Sequence, residues 1–74
     1  MSSALPVLSG REVVRAFETF GWQVARQSAS LIIMVKEGEQ VTLSVPAHRE
    51  VAKGTHRSLF RTAGITVQEF VSGM

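Results

Sequence analysis

Apolar positions recur at helical spacing early in the chain and then switch to a period of two. Val13, Phe17 and Phe20, with Val14 and Ala16 beside them, make one apolar stripe, while Arg11, Arg15, Glu18 and Thr19 fall outside it. The stripe predicts a helix. Its start is marked by "SGRE", in which Ser9 and Glu12 can each bond the other's backbone amide as a capping box. Leu8 and Val13 stand at the N′ and N4 positions of a hydrophobic staple. Gly21 closes the helix, because it takes the left-handed conformation that a Cβ disfavours. Residues 1 to 8 read as a loose lead-in.

From Trp22 the alternation predicts strands. "WQVARQ" sets Trp22, Val24 and Arg26 against Gln23, Ala25 and Gln27. "LIIMV", Leu31 to Val35, is apolar on both faces, as in a central strand covered on both sides. "KEGE" is a hairpin turn around Gly38. "VTLSV" puts Val41, Leu43 and Val45 on one face and Thr42 and Ser44 on the other. Pro46 ends it, lacking the amide a ladder needs.

After the polar loop "AHREVAKG", the stretch "THRSLFRTA" reads as a helix stopped by Gly64, with His56, Leu59, Phe60 and Ala63 inward. "ITVQE" repeats the capping logic, with Ile65 at N′, Thr66 as N-cap, Glu69 at N3 and Phe70 at N4. A short last helix runs from Val67 to about Ser72. Helices at each end of the sequence are the only material that can bury a sheet face. The expected fold is a single-domain α+β two-layer sandwich with a short C-terminal helix. Its order, α-β-β-β-α, is that of a double-stranded-RNA-binding domain.

Composition narrows the chemistry. The chain has 74 residues, which suits one small domain with a modest core. Without cysteine it has no disulfide or thiolate metal site. The longest apolar run, five residues, is far short of a membrane span, and "MSSALPVLSG" lacks the charged and apolar regions of a signal peptide. The expectation is a cytoplasmic protein with no membrane partner. The formal charge of +2 permits a nucleic-acid partner without requiring one.

Position matters more than net charge. Lys53, Arg57 and Arg61 recur every four residues as one basic ridge, opposite the apolar face of their helix. Lys53 and Gly54 lie near the helix start, where free amides and the dipole favour an anion, and Arg49 stands just upstream. A phosphate is the candidate ligand. A solvated helix face would give the same spacing. His48 falls in an exposed loop, where it could polarise a phosphate or act only as a hydrogen-bond donor. His56 reads as a core-edge histidine with one satisfied nitrogen. Neither imidazole has metal-ligand neighbours at the right spacing, so no metal site or cofactor is expected. No Gly-rich phosphate loop is present. Trp22, Phe17, Phe20, Phe60 and Phe70 sit at core periodicity.

Together, "LPVLSGREVVRAFETFGW", "VARQSASLIIM", "VPAHREVAKGTHRSLFRTAG" and "TVQEF" resemble HicA-type toxins of toxin–antitoxin pairs, over Leu5 to Val71. The most specific piece runs from Val45-Pro46 through Lys53-Gly54-Thr55 to Ala63-Gly64. The resemblance implies a metal-independent, messenger-RNA-cleaving endoribonuclease with a HicB-like antitoxin as partner. RNA contacts are expected from the ridge and helix start, Lys53, Gly54, Thr55, Arg57 and Arg61, and from Ser28, Ser30 and His48 at the same rim. The family's catalytic histidine follows a small residue and a serine at the start of the second strand. Here that pair is Ala29-Ser30, and the next residue is Leu31. Leucine can neither accept the 2′-hydroxyl proton nor protonate the leaving oxygen, so cleavage is expected to be weak or lost while the fold is kept. The chain departs from the family again at His56, where leucine is usual, and at Phe60, where a smaller aliphatic is common. The alternative reading is a non-catalytic RNA-binding or antitoxin-binding module.

Overall fold

The computed structural model describes residues 7–72. The elements are α1 (Gly10–Thr19), β1 (Gln23–Gln27), β2 (Leu31–Val35), β3 (Leu43–Pro46), α2 (Lys53–Ala63) and α3 (Val67–Ser72). The strands form one antiparallel sheet in the order β1-β2-β3. This is the expected α+β sandwich. Residues 1 to 6 of the expected lead-in lie outside the described residues. Leu8 is buried, and its carbonyl accepts the Val51 amide at 2.8 Å.

The helix punctuation follows local chemistry. Ser9 and Glu12 form the full capping box, at 2.9 and 3.2 Å, and Leu8 and Val13 are both buried as a staple requires. The Ser9 amide, then its hydroxyl, hold the Glu12 carboxyl below its ordinary range. Thr66 and Glu69 cap α3 in the same way. Helices α1 and α2 both end in a Schellman arrangement. Gly21 and Gly64 take φ of 94° and 74°, and the next amides, of Trp22 and Ile65, reach back to the Phe17 and Phe60 carbonyls.

Three strand expectations need correction. β1 is not a half-buried alternating strand: all five residues are exposed, and Trp22 is buried just before it. The register passes from Val24↔Met34 to Arg26↔Ile33, so Ala25 is an extra, bulged residue and the alternation changes sides. β2 is central but covered on one face only. Ile32 and Met34 are buried, whereas Leu31 and Val35 are 38% and 37% exposed, because the helices pack on one side of the sheet. Val41 is exposed and precedes β3, since the β2–β3 ladder ends at Met34↔Leu43.

The core gathers Trp22, Ile32, Met34, Leu43 and Val45 beneath α1, α2 and α3. Phe17, Phe60 and Phe70 meet at its centre, with ring centroids 4.6–6.3 Å apart. His56 joins them at 6.1 Å from Phe60 and 6.3 Å from Phe70. It is not at the core edge: it is 1% exposed, and neither ring nitrogen has a partner. Sequence position placed it inward, but the aromatic packing supplies no acceptor or donor.

One close approach ties the two ends of the sandwich together. The Gly10 amide donates to the His48 carbonyl at 2.8 Å. A Cβ at Gly10 would overlap the Pro46 carbonyl oxygen and approach the Ala47 Cα to 3.0 Å. Alanine is the better helix former by about 1 kcal/mol, so Gly10→Ala would stabilise a free helix. In this protein it is expected to destabilise by about 1–3 kcal/mol through overpacking. Urea unfolding of the two chains measures the difference; a stabilised variant would mean that the contact is loose.

His56 generates a second expectation. Burial pushes its pKa below the ordinary value of 6.5. Below that pH the unfolded chain binds a proton that the folded chain refuses, so stability is lost as pH falls toward the lowered value. His56→Leu removes the unpartnered nitrogens and is expected to stabilise by about 1 kcal/mol or more at neutral pH. Its advantage should widen between about pH 7 and pH 5. Denaturation at stepped pH checks this; a constant difference would show that His56 is not the titrating group.

Candidate functional site

Position 31 is built by a tight turn and a strand pairing. The Ser28 amide donates to the Leu31 carbonyl at 2.8 Å, and the Leu31 amide donates back to Ser28 Oγ at 3.2 Å. That hydroxyl in turn donates to the Leu31 carbonyl at 3.3 Å, so it is engaged within the turn. Leu31 pairs with Pro46, and the Ala47 amide donates to the Ser30 carbonyl at 3.1 Å. The start of β2 therefore lies beside the end of β3, as the antiparallel hairpin requires.

The Leu31 side chain points away from the helices. It lines a groove of about 300 Å³ on the outer sheet face with Arg26, Gln27, Ser28 and Ile33. Arg26 reaches this groove because of the Ala25 bulge. Without the extra residue, Arg26 would pair with Ile32 on the helix-covered face; with it, Arg26 pairs with the outward Ile33. Sequence reading missed Arg26 because plain alternation grouped it with Trp22.

A second concavity lies across the β1–β2 turn. This open cleft of about 360 Å³ is lined by Arg11 from α1, Gln27 to Ala29 from the turn, and His48 and Arg49 from the loop after β3, with Ile32 and Ala47 behind them. His48 and Ser28 thus come together, but the residue 31 side chain is not part of their cleft. Arg11 was legible only as a polar residue outside the α1 stripe. No local pattern announces that it meets a loop nearly forty positions later in the chain.

The ridge on α2 is a third feature. Lys53, Arg57 and Arg61 are all exposed, as their four-residue spacing predicts. The first turn of α2 carries no side-chain cap and no acidic residue, so the amides near Lys53, Gly54 and Thr55 lack the carboxylate that caps α1 and α3. Thr55 lines a groove of about 300 Å³ with Thr42, Ser44, Ser58 and Thr62. Ser30 is exposed and contributes its carbonyl to the pairing above. His56, sealed in the aromatic cluster, reaches no surface. Among the described residues no three His, Asp or Glu side chains gather as metal ligands, and no helix is long and apolar enough to cross a membrane.

An antiparallel sheet with its helices on one face, in this order, defines the double-stranded-RNA-binding type of α+β sandwich. Comparison with known proteins narrows the class. A family model described as the HicA toxin of bacterial toxin–antitoxin matches residues 10–65. A solved structure, a toxin–antitoxin complex from Streptococcus pneumoniae, contains a chain that superposes with a TM-score of 0.68 at 30% identity, covering 78% of this chain and 98% of that one. No curated protein sequence gives a significant match. The chain belongs to the HicA toxin family.

Proposed function

We propose that this chain is an RNA-binding toxin of the HicA family whose metal-independent cleavage of messenger RNA is disabled or weakened at position 31, and that a HicB-like antitoxin is its partner. The observation that carries the reading is the setting of Leu31. It is held at the strand entry by the Ser28 turn, exposed on the outer face, in a groove that Arg26 also lines. An imidazole at that place would be open to a phosphodiester and close to a cation suited to its charge. Leucine keeps the backbone and offers no proton acceptor.

The remaining cations support retained binding. Arg26, Arg11, Arg49 and the α2 ridge surround the β1–β2 turn, the loop after β3 and the helix that follows. RNA recognition through phosphates and 2′-hydroxyls suits such a distributed surface. A messenger-RNA target would place the protein's action in the cytoplasm. The partnered state of the Streptococcus pneumoniae relative supports an antitoxin, for which the exposed Leu31 and Val35 offer apolar contact. A non-catalytic binding module would use the same surface and differs only in what restoring residue 31 achieves.

The purified chain, incubated with a long messenger RNA in chelator, is expected to cut little. Leu31→His is expected to raise the rate by about 10²–10⁴-fold. Rapid cutting by the unaltered chain would move the chemistry to another group, His48 first. Binding without cleavage after the substitution would favour the module.

The ridge has its own test. Replacing Lys53, Arg57 and Arg61 with alanine is expected to weaken RNA binding across sequences and to flatten its salt dependence by about 0.7 of a slope unit for each lost phosphate contact. Unchanged binding would reduce the ridge to a solvated helix face.

A further inference from the structure

We propose that the cleft between the first turn of α1, the β1–β2 turn and the loop after β3 seats a phosphodiester of single-stranded RNA, with Arg11 and Arg49 as its cations. The proposal rests on the RNA-binding reading above. It adds a seat that adjoins the residue 31 groove through Gln27 and Ser28 but draws its cations from α1 and the loop after β3, away from the α2 ridge.

The lining is one-signed. Arg11, Arg49 and His48 converge on the cleft, and no Asp or Glu among the described residues lines it. The acid in the first turn of α1, Glu12, accepts the Ser9 amide at 2.9 Å, so its charge is directed to the helix cap. Guanidinium groups present planar pairs of donors that match phosphate oxygens. Gln27 adds amide donors of the kind a ribose or base edge can use. Ile32, Ala29 and Ala47 provide an apolar back wall. A mixed wall of this kind suits a nucleotide, which brings an anion and a flat apolar surface together; an acidic peptide side chain would use only the cations.

The walls are also set before binding. The Gly10 amide bonds the His48 carbonyl at 2.8 Å, and the Ala47 amide bonds the Ser30 carbonyl at 3.1 Å. All three sides are thereby tied to one another by backbone contacts, which lowers the ordering cost of a ligand. The α2 cations, by contrast, project from a helix surface into solvent.

The test uses the full chain and a labelled oligouridylate, with binding followed by fluorescence anisotropy at several salt concentrations. The double variant Arg11→Gln, Arg49→Gln is expected to lose about 1.4 units of salt slope and roughly 10–30-fold in affinity near 0.1 M salt, from two single-strand phosphate contacts. Amide resonances of Ala29, Ala47 and His48, which line the cleft and not the residue 31 groove, are expected to shift in the unaltered chain as the oligonucleotide is added. This second readout holds even if the double variant fails to fold. RNA binding that survives the double change with its slope intact, or that leaves those resonances still, overturns the cleft and spares the RNA reading. Shifts on adding polyglutamate but not oligouridylate overturn it in favour of an acidic protein ligand. No oligonucleotide binding by the unaltered chain would end both.

Discussion

The absence of a side chain at Gly10 governs how this small sandwich closes. The first turn of α1 sits directly on the Pro46 carbonyl and the Ala47 backbone, a distance that no Cβ permits. That contact brings the capped start of the first helix against the end of the last strand. The loop that follows is thereby set, because the His48 carbonyl takes the Gly10 amide and the Val51 amide takes the Leu8 carbonyl. Val51, buried at the end of that loop, passes the constraint on to α2. The cleft between α1, the β1–β2 turn and this loop inherits its walls from this approach. The pairing of Leu31 with Pro46 is the other half of the same junction.

A protein of this size has apolar material for one core, and this one places it all on one side of the sheet. Phe17, Phe60 and Phe70 fill the centre, and His56 is packed among them at the expense of two unpartnered nitrogens. Among the described residues, none covers the outer face as a second layer. That geometry makes position 31 reachable, since a second layer would have buried it. It also leaves Leu31 and Val35 exposed.

Binding and chemistry are separable in such an arrangement. On the proposed reading, phosphate affinity would be spread over cations from the first helix, the first strand, the loop after the third strand and the second long helix. Proton transfer depends on one side chain in one place. In the proposed function, a substitution at residue 31 would therefore silence the reaction and leave the binding surface intact. The backbone there is held by Ser28 and by the β3 pairing, and neither depends on which side chain it carries.

The sequence by itself determined the element order, both capping boxes, both glycine stops, the α2 ridge and the family. Except for the family, which rests on segments along the whole chain, these are signals of short range, where local hydrogen bonds and helical period decide the outcome. The neighbourhood of Leu31 and Pro46 was also legible, because a hairpin dictates which strand ends meet. The rest needed the tertiary structure. Ala25 bulges only in relation to its partner strand, and that one extra residue moved Arg26 from the expected inner face to the groove of residue 31. The open outer face of β2 depended on which side the helices chose, which an apolar run cannot reveal. Arg11 met His48 and Arg49 only because the Gly10 contact folded the first turn of α1 onto a distant loop. Contacts of that kind are set by the closing of the core, and residues far apart in the chain carry no periodic mark of them.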